Sequence, residues 1–358
     1  MPRACFYVTG HGFGHAARVQ AVVERLLDRP RWTVELRSST PRWFHRWLLS
    51  DRCTLSHVDL DPGVVQQNVF RHDAAATRRA WAGLLDRADE LAAREAAHLR
   101  ATGCEVVVGD MVPLAFAAAR AAELPSIAMG NFTWDWILEH YVDHEPRLAP
   151  VIRKIRQLYG MAGQYLRLPM SHETDVFASQ RQLPLVARRC QEAPEVVRDR
   201  LGVGADQVLV LVCFGGVGFG GVNLEQVSRH PHVRCVWDRD ETVPDVMLSV
   251  SPRTHYPDLI RAADVVLTKP GYGIFAECMA QGTPVAYAHR DGFREAPLLE
   301  RYIRRRWPSA ALRPEQLADG SWTEPTLALA GADCPEVPAD GAEQAARIIQ
   351  RSGARHPS

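Results

Sequence analysis

The chain has 358 residues, more than most single hydrophobic cores hold, and this length suits two domains of ordinary size. Hydrophobic residues make up 46% of it and charged residues 23%, as in ordinary globular proteins. The 42 basic and 42 acidic residues cancel, which argues against bulk binding of nucleic acid. No apolar run approaches the roughly 20 residues that span a bilayer, and no secretory signal pattern opens the chain, so we expect a cytoplasmic protein.

The eight cysteines stand singly along the chain. None forms a CxxC pair, so no zinc site is expected, and most of them lie inside apolar runs as small buried hydrophobes. No Asp-x-Asp pair stands in a convincing loop either. The sequence therefore predicts a protein that works without a bound metal.

In the first half, short apolar strands alternate with helical patterns, which is typical of a parallel sheet covered on both faces. A loop with Trp134 and Trp136 follows the last of these strands. Aromatic rings there suit an acceptor cleft, although packing in the core is the alternative for each of them. The predicted strands cover 4–9, 33–39, 105–110 and 125–130, and the predicted helices cover 16–28, 74–100 and 113–123.

The alternation starts again after a polar, proline-containing linker at 183–203. Two successive α/β patterns of similar size predict two Rossmann-like domains, 1–186 and 187–358, that face each other across a cleft. A ligand is then expected at the carboxyl ends of the strands. The strands predicted in the second domain cover 207–214, 233–238, 246–251, 264–269 and 284–290.

A loop of alternating glycines, TGHGFGH at residues 9–15, joins the first strand to the first helix. Its glycines allow a tight turn and the close approach of another molecule. The helix N-terminus favours a neutral imidazole, so His15 could accept a proton near pH 7, with Asp110 behind it to fix the tautomer. The alternatives are that His11 and His15 bond to nearby backbone, and that Asp110 caps the helix that follows it.

The segment 264–297 carries a second pattern. A strand runs into Lys269, Gly271 and Gly273 at the start of a helix, where backbone N–H groups and a nearby cation would hold a diphosphate. Glu277, one turn inside that helix, is placed to accept hydrogen bonds from ribose hydroxyls. An ordinary strand, turn and helix with a solvated loop is the alternative.

Several motifs carry a family resemblance: TGHGFGH (9–15), DPGVVQ (61–66), GDMVP (109–113), NFTWDW (131–136), KPGYGIFAE (269–277) and HRDGFREAP (289–297). With them the chain resembles the glycosyltransferase-like N-terminal domain of plant L-arabinokinase over nearly its whole length. More broadly it is similar to the GT-B glycosyltransferases, among them the peptidoglycan N-acetylglucosaminyltransferase and the UDP-dependent enzymes of natural products. The resemblance implies two Rossmann-like domains, the first binding mainly an acceptor and the second mainly a nucleotide-sugar donor.

The resemblance also implies roles for matching positions. His15 matches the catalytic base, and Asp110 matches the aspartate that pairs with it in many members. A loop of the type Lys-Pro-Gly-Tyr replaces the His-Cys-Gly-Trp type of the plant natural-product enzymes, which leaves the identity of the donor open. The positions expected to bind the donor are Gly14, Gly216, Thr254, His255, Lys269, Gly271, Tyr272, Gly273, Glu277, Asp291 and Glu295, and those expected to bind the acceptor are His11, Phe13, Trp134 and Trp136.

A literal GxGxxG at 216–221 follows the strand at 207–214, and Asp238 ends the next strand. This arrangement matches the dinucleotide fingerprint and would indicate an NAD-dependent enzyme. The helix between them, at 223–229, is short for a crossover. We therefore expect Gly216 to approach the phosphates of a nucleotide sugar instead.

Together these features predict an inverting, metal-independent glycosyltransferase that moves a sugar from a nucleotide-diphosphate sugar to a small-molecule acceptor. We expect uridine as the nucleotide, no cofactor beyond the sugar donor as co-substrate, no nucleic acid and no membrane span. No Gly-Leu-Ser-Ser-type phosphate loop occurs, so kinase activity is not predicted. Two alternatives stay open: a nucleotide-sugar epimerase that uses His11, His289 and Glu295 as further acid and base groups, and a non-catalytic nucleotide-sugar binding module.

Overall fold

The computed structural model of the chain describes residues 1–66, 72–214, 221–237, 247–248, 254–290 and 292–353. By their contacts the residues group into two units. Unit 1 comprises Met1–Val186, Gly292–Glu295 and Ala339–Ser358, and unit 2 comprises Ala187–Asp291 and Ala296–Pro338.

Within the described ranges, the sheet of unit 1 has seven parallel strands: β1 Arg3–Val8, β2 Thr33–Ser38, β3 Cys53–Ser56, β4 Val106–Asp110, β5 Ser126–Gly130, β6 Gln164–Arg167 and β7 Gln180–Gln182. Their order across the sheet is β3-β2-β1-β4-β5-β6-β7, the doubly wound arrangement with β1 near the centre. β4 and β5 are buried along their whole length, as expected of short apolar strands covered on both faces. Val8 of β1 lies opposite Asp110 of β4, so the loop after β1 and Asp110 share the carboxyl edge of the sheet.

Helices cover this sheet, and the first of them is positioned by a glycine. Gly12, just before the first helix, has φ 89° and ψ 158°, a conformation that is essentially restricted to glycine. It turns the chain from the edge of the sheet directly into the helix. The helices are α1 Phe13–Leu27, α2 Ala74–Leu85, α3 Ala88–Ala101, α4 Leu114–Ala121, α5 Trp134–Glu139 and α6 Leu148–Tyr159, with a 3-10 helix at Arg42–His45.

The prediction of a single long helix at 74–100 is wrong, because the structure has two helices there, α2 and α3. Asp73 caps the start of α2 by accepting a hydrogen bond from the backbone of its first turn at 2.8 Å. α3 has a start of its own, since Asp89 and Glu90 lie in its first turn, where a helix N-terminus favours acidic side chains. The apolar periodicity of the sequence continues across the boundary between α2 and α3, so the pattern does not indicate where one helix ends and the next begins.

Unit 2, in its described ranges, has a sheet of six parallel strands: β8 Val208–Cys213, β9 Val233–Trp237, β10 Met247–Leu248, β11 Val265–Thr268, β12 Val285–Ala288 and β13 Ser309–Leu312. Their order, β10-β9-β8-β11-β12-β13, repeats that of the first six strands of unit 1. The helices are α7 Pro194–Leu201, α8 Tyr256–Ala262, α9 Tyr272–Gln281, α10 Ala296–Arg306, α11 Pro314–Asp319 and α12 Thr323–Leu327, with a 3-10 helix at Glu225–Arg229. The stretch predicted as a linker at 183–203 therefore contains a helix, α7.

The last helix, α13 Gly341–Gly353, groups with unit 1, whereas the sequence predicted a second domain that runs unbroken from 187 to 358. It packs on α1 and buries Ile349 completely. Arg29 donates a hydrogen bond to Glu343 across this contact at 2.9 Å. The periodicity of a terminal amphipathic helix shows which face is buried, but it does not show which sheet receives that face. None of the helices in the described ranges is long and apolar enough to cross a membrane.

Candidate active site

The side chains of His15 and Asp110 meet at the carboxyl edge of the unit 1 sheet. His15 lies in the first turn of α1 and is 7% exposed, while Asp110 ends β4 and is fully buried. The Nδ1 of His15 lies 2.8 Å from Oδ1 of Asp110. An ionised carboxylate can only accept, so a hydrogen bond here requires the proton on Nδ1 and leaves the lone pair on Nε2. No described residue bonds to that Nε2.

A third residue, Arg18, joins this pair, and the sequence analysis did not single it out. Its Nε donates to Oδ2 of Asp110 and its Nη2 donates to Oδ1, both at 2.6 Å. The same Nη2 lies 2.8 Å from Nδ1 of His15. Arg18 follows His15 by three residues, which places both on one face of α1, so helical spacing is the signal that could have found it.

The three groups set one another's charge. Burial lowers the pKa of His15 and the charge of Arg18 lowers it further, against the opposing effect of Asp110. Burial alone would raise the pKa of Asp110, but the charges and hydrogen bonds of Arg18 and His15 bring it below its ordinary value. At neutral pH the group is a carboxylate paired with a guanidinium beside a neutral imidazole, which is the state a general base needs before it takes a proton.

Asn131, directly after β5, connects this group to the segment 292–295. Its Oδ1 accepts from Nη1 of Arg18 at 2.6 Å, and its Nδ2 donates to Oε1 of Glu295 at 2.6 Å. Asn131 and Glu295 are both buried. The sequence predicts that Glu295 belongs to the second domain with the donor-binding residues, but the contacts of Glu295 group it with unit 1.

In unit 2, α9 begins just beyond the carboxyl end of β11. Gly271, the N-cap residue, has no side chain with which to cap the helix, while Tyr272 and Gly273, the first two residues of α9, are buried. Burial, reinforced by the charge of Arg290, lowers the pKa of Lys269 to about 8. In the part of the chain that the structure describes, no carboxylate pairs with Lys269. Backbone N–H groups without a side-chain cap, next to two cations, are suited to an anion.

Glu277 lies farther along α9 and is buried. Both of its carboxylate oxygens accept from Arg188, from Nε at 2.6 Å and from Nη2 at 3.1 Å. The sequence predicts ribose hydroxyls as partners of Glu277 and gives no signal for Arg188. A carboxylate has about four lone-pair directions, so the ion pair orients Glu277 and leaves it able to accept further hydrogen bonds.

Thr254 and His255, two positions expected to bind the donor, lie just before α8. Thr254 is half-buried and His255 is buried. The Nδ1 of His255 lies 3.3 Å from Oδ2 of Asp258 in the first turn of α8. Burial lowers the pKa of His255 despite this neighbouring carboxylate. This buried environment therefore favours the neutral imidazole.

No family model matches the sequence. L-arabinokinase of Arabidopsis thaliana is 32% identical over 358 residues, which cover 97% of this chain and 34% of the plant protein. An uncharacterised glycosyltransferase of Methanopyrus kandleri is 27% identical over 271 residues, which cover 70% of this chain and 76% of that protein. The chain is a homologue of both, and it spans about a third of the length of L-arabinokinase.

Solved structures show the same architecture. UGT2 of Phytolacca americana, complexed with UDP-2-fluoro-glucose and pterostilbene, matches with a TM-score of 0.61 at 11% identity, over 99% of this chain and 94% of that one. MurG of Acinetobacter baumannii matches with a TM-score of 0.59 at 13% identity, over 98% of this chain and all of that one. The chain has the GT-B glycosyltransferase fold. These identities are low, and the likeness concerns the fold alone.

Two of the expected acceptor residues of this GT-B chain lie beside His15. The ring of His11 meets Trp134 edge-on, with ring centroids 5.2 Å apart, and lies 6.3 Å from Phe293 in a stacked orientation. Trp134 is fully buried, and its ring centroid is 6.4 Å from that of His15. The structure thus brings His11, Trp134 and His15 into one aromatic group.

Phe13 and Gly14 share the first turn of α1 with His15 in the GT-B chain. Phe13 is half-buried and stacks on Phe44, with ring centroids 4.7 Å apart. It also meets the exposed ring of Trp43 edge-on at 5.3 Å. Gly14 is exposed. Phe13 therefore belongs to a second aromatic cluster, which it forms with residues of the 3-10 helix.

The prediction of a loop at Trp134 and Trp136 is wrong, because both residues lie in the first turn of α5. Trp136 stacks on His172 with ring centroids 4.3 Å apart, and the guanidinium of Arg294 lies 4.5 Å from the ring centre. Arg294 also donates to the backbone carbonyl of Trp136 and, at 2.7 Å, to Glu139. Burial lowers the pKa of His172 to about 4, so the imidazole beside Trp136 is neutral. Protein groups therefore already engage this indole.

Asp61 is a buried carboxylate that the sequence analysis did not select. It accepts from Nε1 of Trp134 at 2.6 Å and from the backbone N–H of Gly63 at 2.7 Å. Burial raises its pKa to about 7 in spite of these hydrogen bonds. Asp61 also lines a cavity of about 520 Å³ between the segment 57–62 and the helices α2 and α3. A single aspartate in a loop carries no spacing signal, so only the fold shows this environment.

Two expected donor residues, Gly216 and Asp291, lie outside the described residues, as do Gly218 and Asp238 of the dinucleotide-like pattern. Their roles stay predictions. Among the residues that are described, no three His, Cys, Asp or Glu side chains are grouped in the way that metal ligands are.

Proposed function

We propose that this chain is an inverting glycosyltransferase that moves a sugar from a nucleotide-diphosphate sugar to a small-molecule acceptor. The observation that carries the proposal is the buried pair of His15 and Asp110 at the carboxyl edge of the unit 1 sheet, in a chain with the GT-B fold. Asp110 fixes the tautomer of His15, and Nε2 is the basic atom.

In the proposed reaction the acceptor's hydroxyl oxygen attacks the anomeric carbon of the donor. The bond from that carbon to the phosphate oxygen breaks, and its electron pair leaves with the nucleoside diphosphate. The hydroxyl proton passes to Nε2 of His15, and Asp110 stabilises the imidazolium that forms. A single displacement inverts the anomeric centre. A positioned general base contributes about 10²–10⁴-fold to such a step.

The leaving diphosphate is proposed to bind at the start of α9. The N-cap residue there, Gly271, has no side chain to cap the helix, and Lys269 and Arg290 add positive charge beside the helix start. Charge develops on the leaving group in the transition state, so electrostatic stabilisation there is expected to matter at least as much as the base. Amides and cations that can carry this charge support a reaction independent of metal ions. Uridine is proposed as the nucleotide, since UGT2 of similar fold is complexed with a UDP sugar.

The experiment begins with thermal unfolding of the full chain in the presence of nucleoside diphosphates and their sugars. A true ligand at 100 times its Kd should stabilise the protein by about 2.7 kcal/mol. With the stabilising donor, small-molecule acceptors are then screened for release of the nucleoside diphosphate, with and without EDTA. His15→Ala should lose this release by about 10²-fold or more and keep the thermal shift.

The outcomes also separate the two alternatives. A donor that is isomerised in the absence of any acceptor would indicate an epimerase. Tight donor binding without turnover for any acceptor would indicate a binding module. His15→Ala with wild-type turnover would remove His15 from the mechanism.

A further inference from the structure

The negative charge of Asp110 is balanced within unit 1 by the positive charge of Arg18. In a simple pair of histidine and aspartate, the carboxylate faces the imidazole and has no cation of its own. Here Arg18 donates to both oxygens of Asp110 at 2.6 Å, and its Nη2 lies 2.8 Å from Nδ1 of His15, a contact that is not a hydrogen bond because Nδ1 carries the proton donated to Asp110. Arg18 and Asp110 are 2% and 0% exposed, so water does not screen the interaction.

Asn131 holds the remaining end of this guanidinium in one orientation. Its amide oxygen faces Nη1 of Arg18, and its amide nitrogen faces the carboxylate of Glu295. Reversing the amide would turn its N–H groups toward a cation and its oxygen toward an anion, and both contacts would be repulsive. The orientation of Asn131 is therefore determined by charge, and through it the position of Arg18 is determined too.

We propose that Arg18 is a positioning residue for the base: its guanidinium clamps both oxygens of Asp110 and thereby sets the orientation and the charge of the His15 imidazole. This inference rests on the proposed role of His15. Asn131 keeps the guanidinium in place and ties it to Glu295. Arg18 itself does not touch the reacting atoms, since it acts on His15 from the Nδ1 side.

Several charged or titratable groups face His15 and its partners. Arg18 comes from α1 and Asp110 from β4, and Glu295 reaches them through Asn131. Asp61, in the loop after β3, is a buried carboxyl group near Asp110 whose pKa is raised to about 7, and Tyr165 of β6 is buried near both Arg18 and Asp110. Of these groups, only Arg18 bonds to Asp110 through both oxygens and also contacts the imidazole ring.

The test is a pH titration of His15 by NMR in the full chain labelled at its histidines. The His15 signal is the one that disappears in His15→Gln. Arg18→Met removes the cation and keeps a stem of similar length, so the pKa of His15 should rise. Arg18→Met with Asp110→Asn removes both charges and should bring the pKa back down, and this double variant also avoids an unpaired buried carboxylate in case the single variant fails to fold.

Arg18→Lys separates positioning from charge. Lysine keeps the positive charge but lacks the planar fork, so the pKa of His15 should stay low while kcat falls by up to about 100-fold with KM nearly unchanged. The matched control is Arg25→Met on the same helix, which should alter neither quantity. An unchanged His15 pKa in folded Arg18→Met, or wild-type kcat in Arg18→Lys, would overturn the inference. The titration needs no substrate, so it measures the effect of Arg18 on the pKa of His15 even if His15→Ala shows that His15 is not the base.

Discussion

Arg188 holds Glu277 by both carboxylate oxygens, although the two residues lie 89 positions apart in the chain. The pair is buried in unit 2, with side chains that are 7% and 5% exposed. Glu277 is thereby fixed in orientation on α9, close to the helix start where a diphosphate is proposed to bind. A carboxylate held in this way is a preorganised acceptor for hydroxyl groups.

Glu277→Gln should weaken binding of the nucleoside diphosphate about tenfold or more, because hydrogen bonds to a charged acceptor contribute about 1.5–3 kcal/mol each. Titration calorimetry with UDP measures this. The control is Glu192→Gln, which removes a carboxylate paired with Arg200 elsewhere in unit 2. Equal affinity for UDP in both variants would show that the ion pair with Arg188 is only structural.

Gly271→Ala should weaken nucleotide binding with little loss of stability. Gly271 has φ −162°, which any residue adopts, and an added Cβ would meet Ile274 at 3.7 Å and the backbone oxygen of Lys269 at 4.0 Å, both ordinary distances. The fold itself therefore does not require a glycine there, but a diphosphate lying against the backbone would. Gly282, at the other end of α9, has φ 77°. Gly282→Ala should lower the free energy of unfolding by about 1–2 kcal/mol and leave nucleotide affinity unchanged. Weaker nucleotide binding in Gly282→Ala, with unchanged binding in Gly271→Ala, would contradict the proposed site.

Binding of the diphosphate should weaken as pH rises through about 8. The pKa of Lys269 is lowered to about 8 by burial and by the charge of Arg290, so its ammonium loses its proton there. Lys269→Met should bind UDP more weakly and lack this pH dependence, as measured by calorimetry from pH 6 to 9. Lys154, the other lysine of the chain, is exposed on α6 and provides the control Lys154→Met. A pH dependence that survives in Lys269→Met would assign it to another group.

Asp61 should make the folded state less stable as pH rises from about 4 to about 7. Its pKa is raised by burial from 3.8 to about 7, so in this window the folded protein keeps a proton that the unfolded chain has lost. Denaturant unfolding across pH should show this fall, of roughly 4 kcal/mol at most, in the wild type and not in Asp61→Asn. Asp59→Asn, an exposed neighbour, should behave as the wild type. Parallel pH profiles for the wild type and Asp61→Asn would refute the assignment.

Ile349→Ala should destabilise unit 1 by about 2–5 kcal/mol, because this side chain is fully buried on α13, a helix that packs on α1. Hydrogen exchange followed by mass spectrometry should show lost protection in the strands of unit 1, with unit 2 little changed. Arg351→Ala changes an exposed residue of the same helix and serves as the control. Loss of protection confined to unit 2 would contradict the assignment of α13 to unit 1.

The approach of His15 to Asp110 could be predicted because parallel strands end at a common edge. Once β1 and β4 are neighbours, the residues just beyond their ends must lie near each other. Arg18 was within reach of the same reasoning, since it lies one helical turn from His15. Arg188, by contrast, sits in a stretch without regular periodicity, and no spacing connects it to Glu277. Trp136 was misjudged because a six-residue helix is too short to show a period.

The sequence by itself determined most strands of the two sheets, the repetition of an alternating α/β pattern, and which short motifs stand at the strand ends. These follow from local periodicity and from the conformational freedom of glycine. Only the tertiary structure decided that Arg18 neutralises Asp110, that Glu295 bonds to Asn131, and that α13 returns to unit 1. Such contacts join residues far apart in the chain, and their energy depends on burial and charge, which exist only after the units have packed.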